Sequence, residues 1–173
     1  MLKKVYFILC TVLAINLACA SEADYLVVDI EHVLSESNAA KNVQKQLEEK
    51  KKKYEDEIAK QENQLKADEG KLKKEQKTLS PEAFEKKVRS FQTKLAEVQR
   101  GIQMKRSNLE EMNIKGISKI SEVASNVIKD IAEERKVKIV FPTSQILYAD
   151  VSLDITVEVL KKVNQKLSKV TIE

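Results

Sequence analysis

The chain has 173 residues and is rich in Lys, Glu, Gln, Leu and Ala, but it holds only three Gly, two Pro and no Trp. That composition points to long helices and excludes the aromatic-rich core usual in a globular enzyme of this length. The net charge of +4 is small beside 31 basic and 27 acidic residues, so it does not by itself require a polyanionic partner.

The first segment, 1–20, reads as a secretory signal. Lys3 and Lys4 precede an apolar run from Val5 to Leu17, and Ala18-Cys19-Ala20 supplies the small-x-small cleavage pattern. The run is too short to span a bilayer as a mature helix. Both cysteines, Cys10 and Cys19, fall inside it, so a chain beginning at Ser21 has no thiol. Disulfides, thiol catalysis and Cys-ligated metals are then excluded. Losing two lysines leaves 29 basic against 27 acidic residues, a net +2. The rival reading is acylation of Cys19, which usually wants an aliphatic residue where Asn16 stands.

A body segment at 21–38 follows. Tyr25 to Ile30 is a short β-branched apolar run, suited to a strand buried on both faces. A turn of helix is expected at Glu31 to Ser35, and Ser35 to Asn38 is rich in helix-capping residues. From 39 to 134 the pattern is that of a coiled-coil arm. Ile58, Leu65, Leu72 and Leu79 recur at seven-residue spacing, while the companion line runs from Leu47 and Tyr54 into polar Gln61, Asp68 and Glu75. Such a thin stripe needs a partner yet buries little.

The pattern breaks near residue 80. Ser80 can cap a new helix, Pro81 suits its first position, and Glu82 complements its dipole. The second helix has the firmer heptad: Phe84, Phe91 and Val98 on one line, Val88, Leu95, Ile102 and Leu109 on the other. Folding the chain at the break makes residues whose numbers sum to about 160 face each other. Leu72 then meets Val88, Leu65 meets Leu95, and Ile58 meets Ile102. A forty-residue helix is about 60 Å long, so this antiparallel hairpin must project from its body. Gly70, Gly101 and Gly116 read as bending points in it. Ile117, Ile120, Ala124, Val127 and Ile131 form the more apolar base.

The closing segment, 135–173, is expected to hold strands at Val137–Phe141 and Ile146–Ala149, with a turn at Pro142–Gln145. Asp154 caps a last helix that carries Thr156, Leu160, Val163 and Leu167 on one face. Units this small rarely bury enough surface alone. With disulfides excluded, oligomerisation through the strands is the remaining route, at Leu26, Val28, Ile30, Ile139, Phe141 and Leu147. It would also cover strand edges. The fold class is therefore mainly α with a small β body and a long antiparallel arm.

Signals for catalysis are missing. The lone histidine, His32, reads as a surface residue, no glycine-rich phosphate loop occurs, and no calcium-loop spacing is present. Neither a metal, a cofactor nor an enzymatic activity is expected. Basic groups at Lys50–Lys53, Lys86, Lys87 and Arg89 read as solvated helix faces, and no aromatic interleaving marks a nucleic-acid site.

This order of parts resembles the Skp/OmpH family of periplasmic chaperones. The similar pieces are Tyr25–Ile30, Ala39–Leu47, Lys105-Arg106-Ser107-Asn108, Val137–Phe141, Tyr148-Ala149, and Asp154-Ile155-Thr156 with Val159-Leu160. The resemblance implies a periplasmic, jellyfish-shaped homotrimer that holds unfolded outer-membrane proteins without ATP and passes them to the outer membrane. Client contact would then fall on apolar residues near the arm base, Met112 and Ile114. Contact with anionic lipid or lipopolysaccharide would fall on Lys94, Lys105 and Arg106. A chain only weakly basic departs from that last property. The competing class is a coiled-coil envelope scaffold or spacer, anchored by a lipid on Cys19.

Overall fold

A computed structural model describes residues 25–172. The leader, with Cys10 and Cys19, lies outside the described residues. The elements in order are strand β1 (Tyr25–Val28), helix α1 (Ile30–Glu36), helix α2 (Asn38–Glu75), helix α3 (Pro81–Glu134), strand β2 (Ile139–Pro142) and helix α4 (Thr156–Lys166). Two 3₁₀ turns, Thr143–Gln145 and Val151–Leu153, join β2 to α4.

β1 and β2 pair in parallel, with Tyr25 opposite Ile139 and Val28 opposite Pro142. A parallel pair needs a crossover connection. Here the whole arm, α1 to α3, is that crossover. The strand expected at Ile146–Ala149 does not form: among the described residues the sheet has two strands, and Leu147 and Tyr148 are exposed in an irregular loop. An apolar run alone does not make a strand, and this one pairs with neither β1 nor β2. The other side of β1 is taken instead by a bridge from Val27 to Asp154.

That bridge gives the Asp-Ile-Thr tripeptide its physical role. Ile155 N–H donates to the Val27 carbonyl at 3.0 Å, and Asp29 N–H donates to Thr156 Oγ1 at 2.8 Å. Asp154 Oδ1 accepts from Thr156 N–H at 2.8 Å, close to the expected cap. The tripeptide thereby stitches β1 to the start of α4. Leu26, Val28, Val33, Ala124, Val127, Ile131, Ile155, Val159 and Val163 then close into one apolar core. The expected α3 base stripe enters it in part; Ile117 stays on the surface.

Each helix boundary has a local cause. Ser37 is extended between α1 and α2, is buried, and its hydroxyl accepts from Ala40 N–H. Ser80 is likewise extended, as the residue before a proline prefers, and it caps α3 with Pro81 in the first turn. α2 stops at Glu75, four residues before Leu79, because residues 76–79 form the turn leading into that cap. At the end of α3 Lys136 adopts a φ of 54°, and Val137 N–H returns to the Ala132 carbonyl. This is a left-handed helix end made without glycine.

Candidate functional site

The hairpin's two faces meet through polar pairs as much as apolar ones. Glu75 accepts from Lys87 Nζ at 2.6 Å, Asp68 from Lys94 Nζ at 2.6 Å, Glu57 lies 3.2 Å from Lys105 Nζ, and Tyr54 Oη donates to Asn108 at 2.8 Å. In each pair the residue numbers sum to 162, two more than the heptads alone imply. Leu65 and Val98 consequently line one small cavity with Lys94, and Leu95, expected opposite Leu65, is more than a third exposed. Apolar periodicity finds the facing stripes; the ion pairs set the final offset.

All three ion pairs put the acid on α2 and the lysine on α3. Asp68 and Glu75, where the apolar line fails in the sequence, are the acidic halves of two of them. The Asp68 carboxyl is held below its usual range, chiefly by the hydrogen bond from Lys94, with Gln64 assisting and burial opposing. Lys105 also sits 5.3 Å from the Tyr54 ring centroid, a cation–π contact. Lys94 and Lys105 are thus engaged within the arm. Arg106 is exposed and, among the described residues, pairs with no carboxylate. The structure does not gather the three cations into one free patch.

The body offers a different surface. Tyr25, Ile139, Phe141, Leu147, Tyr148 and Val151 are all exposed around the two strands and the loop that follows them. Tyr25 and Phe141 meet edge to face with centroids 6.4 Å apart. β2 has one paired edge among the described residues and one open edge. Of the residues expected at an oligomer contact, Ile139, Phe141 and Leu147 lie on this surface. Leu26 and Val28 point into the protomer's own core, with Ile30 packed against it. The eclipsing cause is α4, whose apolar face covers the inner side of β1.

The expected client residues are also separated. Ile114 is 60% exposed on α3, but Met112 is 3% exposed. Met112 sits in a second apolar cluster with Ala39, Ala40, Val43, Ile120, Val170 and Ile172. Here Gly116 lies so close to Val43 that an added Cβ would come within 2.7 Å of its side chain. It is a helix-crossing residue. Gly70 and Gly101 have open space around them, so packing does not demand glycine there.

The last helix, expected to carry Leu167 on its apolar face, ends at Lys166, and Leu167 packs instead against the arm base. Sequence reasoning missed residues 168–172, which follow it across that base. Their signal was the alternation of Val170 and Ile172 with polar neighbours. It also missed the ties between α4 and the end of α3, where Arg135 pairs with Glu158, Lys162 with Glu134 at 2.9 Å, and Lys166 with Asp130 at 2.7 Å. Those ties raise the Lys162 ammonium above its ordinary range, chiefly through Glu134, and lower Asp130 through Lys166. His32 is exposed on α1. Among the described residues no cluster of His, Cys, Asp and Glu is placed to hold a metal ion.

Comparison with known proteins gives two findings. A model of the family described as outer membrane protein (OmpH-like) matches residues 24–163. The crystal structure of a protein assigned as an OmpH-like outer membrane chaperone, from Caulobacter crescentus CB15, superposes with a TM-score of 0.80 at 17% identity, covering 87% of this chain and 89% of that one. At that identity it establishes the shared fold. No curated protein sequence matches the chain.

Proposed function

This chain belongs to the outer membrane protein (OmpH-like) family, and from that premise we propose that it is an ATP-independent periplasmic chaperone holding unfolded outer-membrane proteins. The observation that carries the reading is the shape of the hairpin. Between Val43 and Met112 its one buried residue is Leu65. The part of α3 between Pro81 and Met112, a limb of roughly 45 Å at about 1.5 Å per residue, therefore projects with almost no core of its own.

Such a limb suits a holdase. It offers a client many weak contacts and no single deep one, so the client stays unfolded and exchangeable while several arms together retain it. The exposed apolar surface around Tyr25, Ile139, Phe141, Leu147 and Tyr148 supports self-association of the body, which would bring several arms around one space. A homotrimer is the assembly we propose. Of the three cations expected at an anionic lipid or lipopolysaccharide, Arg106 is the one left available, since Lys94 and Lys105 hold the arm together.

The test is sedimentation of the mature protein, alone and with an unfolded outer-membrane barrel protein. It reports subunit number and client capture together. Excising residues 58–104, whose ends face each other in the observed register, should leave a folded oligomer with little ability to suppress client aggregation. Full suppression by that shortened chain would sink the arm mechanism.

A further inference from the structure

Residues 167–172 follow α4 without regular secondary structure and cross the root of α2. Val170 and Ile172 are buried, while Lys169 and Thr171 face solvent. This period of two is that of an extended chain lying with one face down. Beneath it is an apolar floor built by Ala39, Ala40, Val43, Met112 and Ile120.

Two side-chain amides hold the backbone of this segment. Gln46 Nε2 donates to the Val170 carbonyl at 2.6 Å, and Gln46 Oε1 accepts from Ile172 N–H at 3.3 Å. Asn42 Oδ1 accepts from Val170 N–H at 3.3 Å and from Gln46 Nε2 at 2.8 Å, which fixes the orientation of the Gln46 amide. Every one of these bonds to the segment goes to a backbone group. Main-chain contacts of this kind supply affinity without reading sequence, while pockets for alternate side chains supply selectivity. The groove therefore asks of its occupant only an extended backbone with two apolar side chains two residues apart.

We infer that this groove at the arm root is a binding site for extended peptide segments with alternating apolar residues, and that residues 167–172 fill it as a built-in surrogate. Transmembrane β-strands carry the same alternation along their length. An unfolded barrel protein consequently offers many segments of the required pattern. That identification of the client rests on the chaperone reading above; the groove itself does not. The segment also lies beyond residue 163, where the family match ends.

The two methionines of the described chain make the inference testable. Met104 is 67% exposed and Met112 is 3% exposed, so peroxide should oxidise Met104 far faster in the full-length mature protein. In the variant V170D/I172D the segment is released, and Met112 oxidation should rise toward that of Met104. A labelled peptide, Leu-Ser-Lys-Val-Thr-Ile-Glu, should bind this variant at least about ten-fold more tightly than it binds the parent. It should restore protection of Met112, and Gln46→Ala should weaken it. Failure of the peptide to bind a variant that keeps its helical circular dichroism overturns the site, and equal binding to parent and variant overturns the plug. If the variant loses its helices, excess peptide is added to the parent. It must then accelerate amide exchange at Val170 and Ile172, and unchanged exchange overturns the inference. Addition of an unfolded barrel protein to the parent should accelerate the same two amides while Met112 stays covered. A client that co-sediments and leaves those amides protected refutes displacement but spares the chaperone reading. A client that never co-sediments defeats the chaperone reading, and the peptide result still decides the groove.

Discussion

The body and the arm solve the same problem, holding helices together, by opposite means. In the body, Val33, Val127, Ile131, Ile155, Val159 and Val163 are wholly buried in one apolar core. In the arm, the α2–α3 contact is carried by half-buried side chains and by polar pairs at Tyr54–Asn108, Glu57–Lys105, Asp68–Lys94 and Glu75–Lys87. Apolar burial is non-directional and strong per side chain. Exposed ion pairs are weak and demand a geometry. The lesson is a division of labour. The body supplies stability, and the arm spends little of it while keeping one register along its length.

The comparison breaks most sharply at Ile131. Ile131→Ala should cost about 2–5 kcal/mol in chemical denaturation, because a fully buried side chain leaves a cavity between α3 and α4. Leu65→Ala, in the arm, should cost far less globally. Its site lies at an open cavity and can collapse or fill with water. It should speed amide exchange along α2 and α3 near residues 65 and 98 and leave the body's exchange unchanged. Equal global losses from the two variants would mean that arm and body are one cooperative unit.

Between the two regions, at the arm root, the expected effect is smaller. Gly116→Ala drives a methyl to within 2.7 Å of Val43, a buried β-branched side chain with little rotamer freedom. A loss of about 1–3 kcal/mol is expected, with recovery in the G116A/V43A double variant. Additive losses in the double variant would show that the close approach is not the cause.

The heptads of α3, the Ser80-Pro81 break and the base stripe Ile120–Ile131 were legible because each is a local pattern with one physical reading. The hairpin followed from them to within two residues of register. The offset was not legible, since it depends on which carboxylate meets which lysine, and Asp68 and Glu75 looked like defects in an apolar line. Nor was the burial of Leu26, Val28 and Met112. A strand residue reads the same whether a second copy or α4 covers it. Ile146–Ala149 shows the converse: a strand pattern formed no strand, because four apolar residues do not say whether a paired neighbour is present. Residues 168–172 escaped the sequence reading because five residues carry too short a pattern to register without the groove beneath them.

Gly70 and Gly101 sharpen the arm side. Neither has a neighbour within 4 Å of an added Cβ, so alanine fits without strain. Each substitution should stabilise its helix by about 1 kcal/mol. Slower amide exchange between residues 60 and 110, with an unchanged midpoint for the body, is the expected result. If the glycines serve as bending points, client capture should fall as the arm stiffens. Unaltered capture would return them to the status of tolerated interruptions.

The smallest effect belongs to the ion pairs, and pH separates the two regions through it. The Asp68 carboxyl is held below its ordinary range by Lys94. A depressed carboxyl contributes its full share above the ordinary aspartate range and loses it as pH falls through the lowered value. Acid should therefore loosen the arm, raising exchange near residues 68 and 94 by no more than about five-fold, and Asp68→Asn should flatten that response. In the body Asp130 behaves in the same direction with Lys166, but Lys162 is raised by Glu134. A raised lysine contributes below its ordinary range and loses that contribution as pH climbs through the higher value. The tie between α3 and α4 should thus slacken at both ends of the pH scale, and the Asp68 contact should loosen in acid. Identical acid responses in the parent and Asp68→Asn would show that the arm's register is set by its apolar stripe after all.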